Sequence, residues 1–202
     1  MLQKLTITLI GCLIYFNLIA QPHAGIRAGA SFSDYKFAQL NDGFTLTPGL
    51  VVTGYANFSL NEKLSVQPEL QFVQRRFPTS LADEGEIVEN TFYRTNYLEI
   101  PLLLKYTTTG TGVRTYFIGG ASLGYLLSEG YNSDRFGNYR FDLSSRESRY
   151  LTEVFGTVGA GLIFKNYIID LRYVHGLDNR SEVKDFQINY TGFQLSLGYR
   201  LL

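Results

Sequence analysis

From residue 24 to the C-terminus, apolar and polar positions alternate with a period of two, and no stretch holds a helical spacing for long. In residues 24–33, Ile26, Ala28, Ala30 and Phe32 share one face, and Gly25, Arg27, Gly29 and Ser31 share the other. Further on, Leu46, Pro48, Leu50, Val52, Ala56 and Phe58 oppose Thr45, Thr47, Gly49, Thr53 and Asn57. Leu64, Val66, Leu70 and Phe72 oppose Ser65, Gln67, Glu69 and Gln71; Leu98, Ile100, Leu102, Leu104 and Tyr106 oppose Tyr97, Glu99, Leu103 and Lys105. Successive side chains of a pleated strand point to opposite faces, so each segment reads as a two-faced strand. Similar segments near residues 113–128, 151–164, 167–177 and 188–202 bring the expected number of strands to eight.

The links between them are sorted by length. They cover residues 35–43, 59–63, 78–90, 107–112, 129–150, 165–166 and 178–187, which runs long, short, long, short, long, short, long. In an up-and-down meander every long link falls at one end and every short turn at the other, as in barrels that cross an outer membrane. The expected fold is all-β: an eight-stranded antiparallel up-and-down transmembrane β-barrel. Closure also satisfies the backbone, because hydrocarbon offers no partner to an open sheet edge. Pro48, Pro68 and Pro101 fall inside expected strands and cannot donate to a ladder, so bulges or local irregularities are expected there.

Charges identify the wet face. Arg27, Glu69, Arg75, Glu99, Lys105, Arg114, Glu153, Asp170, Arg172 and Arg200 share the polar parity, while Asp34, Arg76 and Arg94 on the apolar parity fall near the long links. An Arg or Lys facing lipid costs ~2–4 kcal/mol at mid-membrane and little at the interface, so the apolar parity is expected to face acyl chains. Its aromatics gather at two rims: Phe58, Tyr106, Phe164 and Tyr199 near the short turns, Phe32, Phe44, Phe72 and Tyr125 near the long links. Such belts anchor barrels at both membrane interfaces.

Residues 1–20 combine a basic start, an apolar run over residues 5–20 and a small residue at Ala20, which reads as a secretory signal peptide; the barrel domain is then residues 21–202. The 18 basic and 18 acidic residues leave no surplus to grip nucleic acid. Cys12 is the only cysteine and lies in the leader, and the two histidines have no ligand spacing, so no metal site and no cofactor are expected.

The segment NYLEIPLLLKY (residues 96–106) resembles a motif of the PorT-like outer-membrane β-barrel family of the Bacteroidetes lineage. LSVQPEL (residues 64–70), GTVGAG (residues 156–161), and Arg172-Tyr173 with Gly176-Leu177 are similar to it as well. The resemblance spans residue 24 to the end and implies an eight-stranded barrel in the cell outer membrane; most members have no assigned activity. It further implies contact with outer-membrane lipids and lipopolysaccharide, and insertion by the barrel-assembly machinery. Many such barrels end in an aromatic residue, whereas this chain ends Tyr199-Arg200-Leu201-Leu202.

Arg27, Glu69, Glu99, Lys105, Arg114, Asp170, Arg172 and Arg200 are the candidate lumenal polar network. An ion path and a polar plug both use such residues. Eight strands leave an interior just wide enough for side chains to fill, which favours the plug. No residue is expected to be catalytic. The enzyme alternative centres on His175 at the outer rim; lipid-modifying enzymes carry a Ser two residues beyond such a His, where this chain has Leu177, with Ser181 in the following link. Glycines 119–120 and 156–161 lack a phosphate-loop context and are expected to lie beneath aromatic rings. The acidic residues 81–90 and the Tyr/Arg/Asn-rich residues 129–150 are the segments available to an extracellular or envelope protein partner. The expected role is non-enzymatic, structural or surface-interacting, in support of envelope integrity or protein export.

Overall fold

A computed structural model describes residues 22–37, 47–83, 86–133, 137–143, 151–178 and 188–201. The expected leader of residues 1–20, and Ser181, lie outside these residues. The strands are β1 (His23–Phe37), β2 (Pro48–Ser59), β3 (Leu64–Asp83), β4 (Glu86–Thr107), β5 (Val113–Ser133), β6 (Gly137–Arg140), β7 (Thr152–Phe164), β8 (Tyr167–Gly176) and β9 (Ile188–Arg200). All but β6 form one closed antiparallel barrel, in which β4 pairs with β5, β5 with β7, and β9 with β1 from Gly25↔Arg200 to Phe37↔Ile188. Followed around the ladders from Gly25 through Tyr55, Ser122 and Phe155, the row of paired positions returns to β1 at Tyr35, ten residues further on. That offset is the stagger a tilted barrel needs, so every row climbs toward the long-link end as it passes from β1 to β9.

The short turns have local causes. Asn61 folds its side chain over the β2–β3 turn, where Oδ1 accepts from the Lys63 and Leu64 amides at 2.9 and 2.8 Å. Gly112, at φ 100°, takes the left-handed conformation that the β4–β5 turn demands.

Two expectations need correction, and the one for the prolines is met as a break in pairing. Residues 78–90 are not a plain loop: β3 and β4 continue through them as a ladder to Asp83↔Glu86. Within residues 129–150, β5 runs on to Ser133 and β6 folds back on it from Gly130↔Arg140 to Ser133↔Gly137, a ninth strand outside the barrel ring. At the prolines the expected irregularity is a break in the ladders without a shift of register, and β2–β3 pairing skips Pro68 between Tyr55↔Glu69 and Phe58↔Val66. Pairing of β3 with β4 stops at Pro68↔Leu102 and resumes at Gln71↔Glu99 in unchanged register, and Pro48 is the first residue of β2. The shifts of register lie elsewhere, between Thr79 and Leu81 on β3, and where Asn96 pairs Ser128 but Tyr97 pairs Leu126, making Leu127 an extra residue on β5.

The orientation of the faces is unambiguous. Leu98, Ile100, Leu102 and Leu104 are 37–61% exposed, whereas Glu99 and Lys105 between them are 1% and 6%. Outside, aromatics form two belts, with Tyr106, Phe164, Tyr167 and Tyr199 near the short turns and Tyr125, Tyr173 and Phe193 toward the long links. Phe44 lies outside the described residues.

Candidate functional site

Four charged side chains meet at the centre of the barrel, and each reaches it from an inward position of a strand. Arg27 comes from β1, Glu69 from β3, and Asp170 and Arg172 from β8. They form a closed cycle. Glu69 Oε1 accepts from Arg27 Nη2 at 2.8 Å and Arg172 Nη2 at 2.9 Å, and its Oε2 accepts from Arg172 Nη1 at 2.7 Å. Asp170 Oδ2 accepts from Arg27 Nη1 at 2.7 Å, and Oδ1 from Arg172 Nε at 2.6 Å. Each carboxylate thus touches both guanidiniums, and the four formal charges cancel. The bonds are charge-assisted, and Glu69 receives the two-pronged contact that arginine geometry favours. Their side chains are at most 2% exposed, so water reaches the cycle from neither mouth.

Neutral groups complete the cluster. Gln67 Nε2 donates to Glu69 Oε1 at 2.6 Å, and the Tyr116 hydroxyl donates to Asp170 Oδ2. Lys105 Nζ donates to Gln67 Oε1 at 3.1 Å and lies 4.1 Å from the centre of the Tyr116 ring. Lys105 therefore joins the network through an amide and a ring face rather than a carboxylate. Toward the short turns, Tyr55, Leu103, Tyr116, Ile118, Ile163 and Ile168 form an apolar collar.

Glu99 belongs to a second cluster nearer the long links. It pairs with Arg75, whose guanidinium carbon sits 4.6, 4.1 and 4.0 Å from the ring centres of Tyr97, Phe155 and Tyr190. Gln71 Nε2 donates to Glu99 at 3.4 Å, and the Tyr97 hydroxyl donates to Glu153 at 3.1 Å. Above it, Phe77, Val51, Val73, Leu126, Val174 and Tyr190 pack as an apolar layer. The extra residue Leu127 moves Glu129 to the inner face, where it accepts from the Tyr93 hydroxyl at 2.5 Å.

Six of the eight residues singled out in the sequence are buried in these clusters: Arg27, Glu69, Glu99, Lys105, Asp170 and Arg172. Arg114 and Arg200 do not join them. Both line a cavity of about 310 Å³ at the short-turn mouth with Lys63, Ser65 and Asn57, and Arg200 Nη2 donates to the Lys165 carbonyl at 3.3 Å. Arg75 and Glu153, both on the polar parity, and Glu129 were the missing members. The parity of Arg75 with Gln71 was the available signal, and the parity of Tyr97 with Glu99 placed that ring inside, whereas nothing in the sequence marks the inward Tyr55, Tyr116 and Tyr190 as lumen fillers rather than rim aromatics. Of the glycines, Gly161 does lie beneath a ring, with Tyr116 Cζ well inside contact distance of where a Cβ would stand, while Gly119 and Gly156 do not.

His175 faces outward beside Tyr173, the two rings parallel within 6° at 6.4 Å, and its Nδ1 is 3.1 Å from the Thr191 hydroxyl on β9. The hydroxyl within its reach is a threonine of the neighbouring strand. Among the described residues no group of three or more His, Cys, Asp or Glu is positioned to hold a metal ion.

An apolar exterior, belts of aromatics and an ion-paired interior within a closed eight-stranded ring define an outer-membrane β-barrel protein. The chain belongs to the outer membrane protein beta-barrel domain family, whose model matches residues 19–182. Solved structures share the fold at low identity. Ail, the attachment invasion locus protein of Yersinia pestis, in complex with the heparin analogue sucrose octasulfate, is 21% identical with a TM-score of 0.45, over 89% of this chain and 99% of that one. The outer membrane enzyme PagL is 11% identical with a TM-score of 0.50, over 87% and 98%. A major outer membrane protein from Thermus thermophilus is 10% identical with a TM-score of 0.48, over 90% and 100%. No curated protein matches the chain.

Proposed function

We propose that this protein is a non-conducting outer-membrane barrel with a structural or surface-interaction role, holding the long-link hairpins at the cell surface for a protein partner of the envelope or exterior. The observation that carries the reading is the charge cycle of Arg27, Glu69, Asp170 and Arg172, which fills the lumen with mutually neutralised side chains. A conducting lumen needs a continuous wet path, and eight strands leave little room beside such a plug. The ladder extensions of β3–β4 and β5–β6 support the second half of the reading, because rigid hairpins are a better platform than a free loop. The motif at residues 96–106 argues for the PorT-like branch of the family, and residues 1–20 for export by a cleaved signal peptide. Insertion by the barrel-assembly machinery would read the C-terminal strand through Tyr199, or through the terminal Leu202 as a weaker substitute.

The test is conductance in planar bilayers of the refolded protein and of Glu99→Ala. Both should give no sustained single-channel steps, with Glu99→Ala less stable to denaturant. Steady channels from the wild-type protein would favour a narrow pore instead. Deacylation of lipopolysaccharide by the purified barrel, abolished by His175→Ala, would favour a lipid-modifying enzyme.

A further inference from the structure

We infer that Arg76, Arg94 and Arg140 form a docking site on the outer wall of the barrel for the phosphate groups of an outer-leaflet glycolipid. The three occupy one row across neighbouring strands, since Arg76 pairs Arg94, Arg94 pairs Gly130, and Gly130 pairs Arg140. Gly130 contributes no side chain between the last two. Adjacent strands lie ~5 Å apart, so the row spans about 15 Å, the width of a lipid headgroup and its sugar. Their inner neighbours fix the direction: Arg75 and Thr95 are buried in the lumen, so Arg76 and Arg94 face out.

The rows below make this a lipid site rather than a general basic surface. Descending toward the membrane, the next outward row is Gln74, Asn96 and Ser128, joined by hydrogen bonds of 3.2 Å from Gln74 Nε2 to Asn96 Oδ1 and 2.7 Å from Asn96 Nδ2 to Ser128 Oγ. Below that lies the apolar row Phe72, Leu98 and Tyr125. The wall thus passes, in two outward steps along each strand, from acyl-chain contact through a self-satisfied amide ladder to three cations. This is the order in which a phosphorylated glycolipid presents tails, linkage region and charge. Followed the other way, the β2–β3 register carried on from Val51↔Val73 takes the row down to Pro48, which pairs Phe32, which pairs Phe193, all on the outer wall's apolar surface. The described outward positions of β7, β8 and β9 hold no Lys or Arg. Among the described outward side chains of the strands, the cations therefore lie on the β3–β6 side of the barrel.

None of the three guanidiniums is ion-paired to a carboxylate among the described residues. Three planar donors in a line match phosphate oxygens in two-pronged geometry, and at the membrane edge, where water is scarce, such bonds are stronger than in bulk. The contact requires the barrel to sit in an outer membrane, as its family and fold indicate, but does not depend on whether the lumen conducts.

The experiment measures binding of bisphosphorylated lipid A to the refolded barrel in detergent micelles, with dephosphorylated lipid A and inorganic phosphate as separate probes. The site predicts that the wild-type barrel binds the phosphorylated lipid at least about tenfold more tightly than the dephosphorylated one, and that Arg76→Gln/Arg94→Gln/Arg140→Gln erases the difference. Arg76→Lys/Arg94→Lys/Arg140→Lys, which keeps charge but not the planar fork, should retain part of it. Lys63→Gln/Lys165→Gln at the opposite mouth should behave as wild type, and unboiled gel mobility reports that each variant is folded. Equal binding of the two lipids, or a preference untouched by the arginine variants, overturns the proposal. So does inorganic phosphate binding as tightly as the lipid.

Discussion

Glu69→Gln is the most informative single change in the lumen. It keeps the shape of the side chain but removes one of the two negative charges of the cycle, taking its sum from zero to one positive. Two guanidiniums lose an anionic partner at 2.7–2.9 Å and cannot rehydrate, because their side chains are at most 2% exposed. At an effective dielectric near 20, one unit pair at ~4 Å is worth ~4 kcal/mol, and breaking a buried pair while leaving its partner in place typically costs ~3–5 kcal/mol. We expect about 3 kcal/mol, since the amide oxygen still accepts one bond. Glu69→Gln/Arg172→Gln returns the cycle to neutrality with Arg27 and Asp170 still paired, so the double variant should lose ~2 kcal/mol less than the sum of the single ones. The chain has no tryptophan, so unfolding in urea from lipid vesicles is followed by far-UV circular dichroism and by the gel mobility of unboiled samples. A loss below ~1 kcal/mol for Glu69→Gln, or strict additivity of the pair, would refute the view that the cycle acts as one neutral unit.

Other changes test other layers. Arg75→Lys keeps the charge beside Glu99 but not the plane packed among three rings, and should cost ~1–2 kcal/mol in the same unfolding assay. Gly161→Ala would drive a Cβ into the Tyr116 ring and the Ile169 carbonyl, so a loss of ~1–3 kcal/mol is expected, whereas Gly54→Ala, with nothing within 4 Å, should be nearly silent. Leu102→Arg, on the outer face between the two aromatic belts, should cost ~2–4 kcal/mol in bilayers; a negligible cost would mean that this face does not meet hydrocarbon.

The barrel was legible because the membrane imposes a simple rule on the outer face. Leu98, Ile100, Leu102 and Leu104 had to be apolar, and charges such as Glu99 and Lys105 had to alternate with them, so the direction of every strand face followed from one parity. Beyond the bilayer the rule lapses. The ladder from Thr79 to Asp83 and back from Glu86 runs on past the apolar rows, where no alternation is imposed, and therefore resembles a loop in composition. Inside, the rule gives parity but not partners. Arg75 shares its parity with Gln71 and Glu69, yet only the stagger of the strands brings it to Glu99 and three rings rather than into the central cycle. Arg114 and Arg200 share that parity too and stay at the mouth, because they lie too close to the short turns to reach a carboxylate of the cycle. The bulge at Leu127 was unreadable for a related reason, since one extra residue reverses the parity on which the reading relied.

The cycle also answers a problem that the apolar face cannot. A one-residue slip between strands would turn charges into lipid and is strongly disfavoured, but a slip of two residues restores the same parity. On the outer wall it merely exchanges one Leu, Ile or Val for another, so lipid contact scarcely distinguishes the two registers. In the lumen the same slip moves a side chain by ~6.6 Å, beyond the reach of any ion pair. Arg27, Glu69 and the Asp170–Arg172 pair come from β1, β3 and β8, so the single neutral arrangement ties together strands that are not all neighbours. A buried ion cluster adds little net stability compared with apolar residues of the same volume, and its best-attested use is to exclude wrong registers. Replacing all four members by apolar side chains should therefore leave a barrel of comparable stability that no longer folds to one register, visible as heterogeneous unboiled gel bands and doubled amide resonances.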